Sequence, residues 1–168
     1  MAVYCEKRAD EELLRDIGEA ERVLLVGCPI CPNFSCVIDQ QADGPVTRAG
    51  LRSIKPLLLS EAMNRTAELL TDKGVAADCW TLPGLPAVSF CSITDSARRK
   101  LAERARDRDT VVVFSCESGH TCVESTVPDK RVVPAMNAKG LLRLVTRRKG
   151  WTVYAERDSA AIIKFALE

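Results

Sequence analysis

The sequence predicts an α/β fold of the doubly wound type, Rossmann-like or flavodoxin-like, with a mostly parallel sheet of about five strands. Two observations lead to this prediction. Short apolar runs alternate with segments whose apolar residues recur at helical spacing. The runs RVLLVG and TVVVFSC are continuously apolar, as expected of strands covered on both faces. The 168 residues suit one domain, and we expect a single α/β unit over 1–168 with a cysteine-rich loop at 28–36.

The predicted elements of the first half follow a charged N-terminus, which is expected to be loose. Asp10 can cap a first helix, and the strand at 22–27 comes after it. The segment 37–59 has no clean period, and we interpret it as a long excursion that covers the cysteine loop. Ser60 is expected to cap the next helix, which Gly74 ends.

The second half continues the alternation of strands and helices. Its predicted strands cover 75–81, 110–116, 131–135 and 151–155. Predicted helices begin at Thr94 and at Asn137, and the second of them ends at Gly150 after the basic residues 147–149. The tail at 159–168 is also predicted to be helical.

Composition argues against two classes of partner. The chain has 24 basic and 23 acidic residues, so a concentrated basic surface for nucleic acid is not expected. No apolar run approaches the ~20 residues of a membrane span. The N-terminus also lacks the apolar core of a signal peptide, and we therefore expect a cytoplasmic protein.

Cysteine is the residue type that points to chemistry. Three of the eight cysteines, Cys28, Cys31 and Cys36, fall within the stretch GCPICPNFSC. Pro29 and Pro32 are expected to keep this stretch from forming a helix. In a reducing compartment, clustered cysteines are more often metal ligands or redox groups than structural disulfides.

Further cysteines are expected at the same edge of the sheet. The carboxyl ends of parallel strands form one rim, where sites are usually built. Cys28 follows the first strand, Cys91 lies in the loop after the second, and Cys116 ends the third. We therefore predict a metal site at this rim. Cys79 would be buried within its strand, and Cys5 has no expected role.

The spacing C-x2-C-x4-C leaves several kinds of site open. An iron–sulfur cluster often takes three thiolates from one compact loop and one from a distant segment. Zinc could use the same ligands tetrahedrally. Cys28 and Cys31 alone could form a redox dithiol, or the cysteines could simply be small apolar side chains. A separate zinc site from Cys116, His120 and Cys122 is a further alternative.

A family resemblance rests on four pieces of the sequence: VLLVGCPICPNFSC at 23–36, Cys91 ahead of a helix, VVVFSCESG at 111–119 and PDKRVVPAMNAKG at 128–140. Together they resemble the C-terminal domain family of methylenetetrahydrofolate reductases. In that family the domain also occurs as a separate small iron–sulfur subunit beside a flavin reductase. The likeness covers roughly residues 10–155, and a second cysteine-rich segment found in many members is missing, which implies a single metal centre.

The resemblance implies a [4Fe–4S] cluster held by Cys28, Cys31, Cys36 and Cys91, with Cys116 as second choice for the fourth ligand. It also implies an electron-transfer or accessory subunit in one-carbon metabolism, which is not by itself a complete enzyme. The expected partner is a flavin-dependent reductase or a corrinoid methyltransferase component. The alternative is a zinc-stabilised protein-binding module without redox activity.

Overall fold

The fold is taken from a computed structural model, which describes residues 1–50, 53–82 and 89–165. The strands among these residues are β1 (Ala2–Lys7), β2 (Arg22–Gly27), β3 (Gly44–Ala49), β4 (Ile54–Pro56), β5 (Ala76–Thr81), β6 (Thr110–Phe114), β7 (Arg131–Pro134), β8 (Met136–Lys149) and β9 (Thr152–Lys164). The α-helices are α1 (Asp10–Ile17), α2 (Cys31–Asp39), α3 (Leu57–Asp72), α4 (Asp95–Ala105) and α5 (Glu117–Thr126). A 3₁₀ helix covers Phe90–Ser92.

A parallel sheet forms the first layer of the fold. Its four strands are ordered β5-β2-β6-β7, and each pair of neighbours runs parallel. The two central strands are buried on both faces, apart from Arg22 at the edge of β2. Val23 and Leu25 pack with α1 and α3, whereas Leu24 and Val26 pack with α4 and α5. The prediction of apolar strands covered by helices on both faces is thus confirmed for this sheet.

A second sheet, which is antiparallel throughout, makes the predicted fold class wrong. Its five strands are ordered β1-β8-β9-β3-β4. The chain therefore combines a small parallel sheet with a larger antiparallel one, and it does not form one doubly wound, mostly parallel sheet. Helix α2 lies between the two layers, because Cys36 belongs to the core of the parallel sheet while Val37 packs against Val46 and Ala155 of the antiparallel sheet.

The largest local error of the sequence analysis is strand β8, where a helix capped by Asn137 was predicted. Leu141, Leu142 and Val145 suit one helical face, but they also fit a strand, in which Leu142 points into the core. Gly150, expected to end the helix, has φ of +60° and forms the turn between β8 and β9 instead. Pairing with β9 across the hairpin, and with the distant strand β1, decides between the two patterns.

The N-terminus and the tail were also misassigned. The predicted loose terminus is strand β1, which pairs with β8. The predicted fifth parallel strand and the helical tail are both part of β9, up to Lys164, and 166–168 lie outside the described residues. Residues 147–149 consequently end a strand beside a hairpin turn and do not end a helix.

The segment 37–59, interpreted as an excursion, contains the end of α2, strands β3 and β4 and the start of α3. Helix α3 begins at Leu57, so Ser60 is not its cap. The N-cap position is Pro56, which has no side-chain oxygen for the first amides. Asn33 of α2 supplies one instead, because its Oδ1 accepts from the backbone N–H of Leu59 at 3.1 Å.

Two further observations concern exposure. Cys79 lies on the edge strand β5 and is exposed, so the expectation of a buried thiol is wrong. In the part of the chain that the structure describes, no helix is both long and apolar enough to cross a membrane.

Candidate thiol site

The candidate site lies where the two central parallel strands end. Gly27, the last residue of β2, is paired with Phe114, the last residue of β6. Cys28 follows directly, and its backbone N–H donates to the Phe114 carbonyl at 3.0 Å. Cys116 follows two residues after Phe114. Adjacent parallel strands thus deliver both cysteines to the same rim, as their order in the sequence suggested.

Cys31 and Cys116 lie at the N-termini of two helices. Cys31 is the first residue of α2, and Cys116 is the N-cap of α5. A hydrogen bond from the Cys31 thiol lowers the pKa of Cys116 to about 6, and the backbone amides of Gly119 and Ser118 lower it further, while burial opposes them. The same bond, together with burial, raises the pKa of Cys31. The pair therefore favours the anionic form of Cys116, with Cys31 as the hydrogen-bond donor.

Cys28 is the most enclosed thiol at the rim, with 4% of its surface exposed. Burial raises its pKa to about 11. Hydrogen bonds from the backbone N–H groups of Ile30 and Phe90 lower the pKa and so oppose part of that rise. The charges of Cys116 and Cys91 also raise it. Phe90 and Cys28 belong to the same buried cluster, so the 3₁₀ helix that carries Cys91 packs beside the rim.

Cys91 is the exposed member of the group. Its sulfur lies 3.3 Å from the hydroxyl of Ser89. Part of the predicted loop at 82–91 precedes it, and residues 83–88 lie outside the described residues. The thiols of Cys28, Cys31, Cys91 and Cys116 thus range from buried Cys28 to exposed Cys91.

Cys36 points elsewhere. The stretch GCPICPNFSC is helical from Cys31, so the expectation of a non-helical loop is wrong. Pro32 is tolerated because it lies in the first turn of α2, where a missing N–H costs little. Five helical residues turn a side chain by about 140°, which aims Cys36 away from Cys31. It lines a cavity of about 430 Å³ together with Asp39 and Arg65. Its proposed role as a metal ligand stays a prediction.

Cys5 is the cysteine that sequence reasoning missed. It is fully buried in β1, and its backbone N–H donates to the hydroxyl of Ser35 at 2.9 Å. Burial raises its pKa to about 12, and charges on Cys116, Cys28 and, more weakly, Cys36 add to that rise. Cys5 therefore lies behind the rim thiols and next to Cys36. Its position depends on the pairing of β1 with β8, for which the short N-terminal segment carries no signal.

The donor chemistry fits a thiophilic metal, although the side chains as they stand do not chelate one. Among the described residues, no three Cys, His, Asp or Glu side chains are grouped closely enough to hold a metal ion. Thiolates are nevertheless the ligands that iron–sulfur clusters and zinc prefer. A low-pKa thiolate at a helix N-terminus is the part of such a site that the chain already provides.

The alternative zinc site on α5 is less well supported by geometry. Cys116 and His120 are one turn apart, but Cys122 is six residues from Cys116 and faces a different side of the helix. His120 Nδ1 lies 3.5 Å from a carboxylate oxygen of Glu124. Its buried Nε2 has no hydrogen-bond partner among the described residues.

Comparison with known proteins adds no relative. No family model matches the chain, and no match is found among curated proteins or solved structures. The resemblance to the methylenetetrahydrofolate reductase C-terminal domain family accordingly stays a prediction, and the case for function depends on the thiol site itself.

Proposed function

We propose that Cys28, Cys31, Cys91 and Cys116 hold a [4Fe–4S] cluster, and that the chain is an iron–sulfur electron-transfer or accessory subunit. The observation that carries the proposal is the position of Cys28 and Cys116 at the ends of the paired strands β2 and β6. Cys31 is hydrogen-bonded to Cys116, and the 3₁₀ helix that carries Cys91 packs beside Cys28 through Phe90. Cys116 replaces Cys36 in this ligand set, because Cys116 contacts Cys31 whereas Cys36 faces a separate cavity.

The chain's own groups suit the charge of bound thiolates. Backbone N–H groups of Ser118 and Gly119 donate to Cys116, and those of Ile30 and Phe90 donate to Cys28. Such donors at helix N-termini favour sulfur in its anionic form. A bound cluster supplies one-electron transfer, and hydrogen bonds to its sulfurs are among the features that set the potential.

Access to the site supports a role with a protein partner. Cys28 is buried, whereas Cys91 is exposed, so one side of the group faces solvent. A partner could approach on that side and exchange electrons without entering the core. We propose that this partner is a one-carbon enzyme in the cytoplasm, of the flavin-dependent reductase or corrinoid methyltransferase type.

Metal and sulfide analysis of protein purified without oxygen tests the proposal. Iron and acid-labile sulfide in equal amounts, with broad visible absorption, are expected. Colourless protein with bound zinc would favour the alternative of a zinc-stabilised binding module, which uses the same thiolates. Protein that binds neither iron nor zinc would contradict both versions.

A redox dithiol is the second candidate function, and the contact between Cys31 and Cys116 favours it. In this reaction the two thiols form one disulfide, while a disulfide substrate takes the two electrons and two protons and becomes two thiols. Metal-free protein treated with oxidised glutathione would then contain a Cys31–Cys116 crosslink, detectable by peptide mass mapping. Mixed glutathione adducts without that crosslink would argue against this function.

A further inference from the structure

The antiparallel sheet has one face that the helices do not cover. Helices α2 and α3 pack on the inner face, through Val37 and Leu58 against Val46 and Ala155. On β8 the odd-numbered residues from 141 to 149 point to the opposite, outer face, since side chains alternate along a strand. These residues are Leu141, Arg143, Val145, Arg147 and Lys149. Apolar and cationic side chains thus share one exposed row.

The neighbouring strands extend the basic character of this face. Arg48 of β3 is paired with Thr152 of β9, which is itself paired with Lys149, so Arg48 belongs to the same face. Lys55 of β4 is paired with Arg48, so the face contains five cations, Arg48, Lys55, Arg143, Arg147 and Lys149, and the carboxylate Glu156. Among the described residues, only Arg147 of these cations is in an ion pair, with Glu156. The whole chain has a net charge of only +1, so this face carries a local excess of positive charge.

Exposed apolar side chains are concentrated on the same hairpin. Val145 is 49% exposed and Ile163 is 60% exposed. Leu141, Arg143, Ala161 and Ile163 line a depression of about 340 Å³ beside Met1. Aromatic residues occur elsewhere on this hairpin, since Trp151 in its turn is 54% exposed and Tyr154 is paired with Arg147. The apolar side chains that line the depression itself are aliphatic, which suits the apolar centre of a protein interface better than a platform for stacking bases.

We propose that the outer face of the antiparallel sheet is a docking surface for an acidic protein partner, which inserts an apolar side chain into the depression and places carboxylates against Arg143, Arg147 and Lys149. Complementary charge would steer the partner toward this face, while the aliphatic depression would provide the buried contact. The surface is formed by β8 and β9 and does not depend on a metal at the thiol site. A negative result for peptide binding would therefore refute the docking surface without bearing on the iron–sulfur proposal, and the absence of a cluster would not refute the docking surface.

The test titrates the full isotope-labelled chain by NMR with a short synthetic peptide that repeats Glu-Glu-Leu. Saturable shifts of amides at 141–149 and 161–163 are expected. Arg143→Glu combined with Lys149→Glu should weaken binding by about tenfold or more, and Ile163→Ser should also weaken it. Arg99→Glu combined with Lys100→Glu, on the exposed side of α4, is the matched control and should leave binding unchanged.

Four results would overturn the proposal. An all-glutamate peptide of equal charge could bind as tightly, which would remove the role of the depression. A single-stranded oligonucleotide could bind more tightly and produce the same shifts, which would indicate a nucleic-acid surface. The same shifts could arise when the protein alone is concentrated, which would indicate a second copy as the occupant. Finally, the peptide could leave all of these amides unchanged.

Discussion

Asn33→Ala is expected to destabilise the fold more than other single substitutions of polar residues, because Asn33 joins three elements. It is fully buried in α2, and its Nδ2 donates to the Val46 carbonyl and to the Thr47 hydroxyl, both at 2.9 Å. Its Oδ1 accepts from Leu59 N–H at 3.1 Å and so caps α3. The register of β3 shifts between Pro45 and Thr47, and the Val46 carbonyl at that irregularity is bonded to Asn33.

The magnitude follows from these three bonds. Each contributes about 1 kcal/mol net, and a buried amide left without a partner costs a further ~1 kcal/mol or more. The expected loss in unfolding free energy is therefore about 4 kcal/mol. For a chain of 168 residues this corresponds to a fall of about 10 °C in melting temperature.

Urea unfolding of metal-free protein, followed by circular dichroism, measures this loss. Asn64→Ala is the matched control, because Asn64 is exposed on α3, and it should change stability by less than about 0.5 kcal/mol. If Asn33→Ala lowered the unfolding free energy no more than this control, Asn33 would not join α2 to the antiparallel sheet. The description of α2 as the layer that holds the two sheets together would then be wrong.

Three further predictions concern packing and thiols. Gly119→Ala should cost about 1–3 kcal/mol in urea unfolding, because the added Cβ would lie 2.9 Å from Ser115 Cβ and 3.1 Å from Phe90 Cβ; unchanged stability would show that the 3₁₀ helix is not packed tightly on α5. Cys79→Ser should change stability by less than about 0.5 kcal/mol because the thiol is exposed, and a larger loss would argue for a buried β5. The pKa of Cys5 rises from 9.0 to about 12 on folding, so the unfolded chain ionises first and stability falls as pH rises across that range. Cys5→Ala should make this alkaline loss shallower, and an unchanged slope would mean that Cys5 is not the buried thiol described.

The parallel sheet was predictable because its signal is local. β2 and β6 are unbroken apolar runs, and only a strand with both faces covered tolerates such a sequence. From those strands the rim position of Cys28 and Cys116 followed without any knowledge of their contacts. The pattern of apolar residues could not predict the antiparallel sheet in the same way, because the apolar residues of β8 fit the spacing of a helix as well as that of a strand.

The errors at the site have a similar origin. Pro29 and Pro32 suggested a stiff loop, but a proline in the first helical turn is compatible with a helix, and this helix turns Cys36 away from Cys31. Cys5 could not be assigned because β1 is held by pairing with β8, some 130 residues later in the chain. Long-range pairing of this kind leaves no periodic signature in the short segment itself.

The central claim is that Cys28, Cys31, Cys91 and Cys116 form one metal site, and metal content in single cysteine variants tests it most directly. Protein purified without oxygen is compared after Cys28→Ser, Cys116→Ser, Cys36→Ser and, as an α5 control, Cys122→Ser. We expect Cys28→Ser and Cys116→Ser to lose iron and sulfide, because removing one ligand opens the site. Cys36→Ser and Cys122→Ser should keep them. Full iron content in Cys116→Ser together with loss in Cys36→Ser would contradict the account and would favour the ligand set implied by the sequence alone.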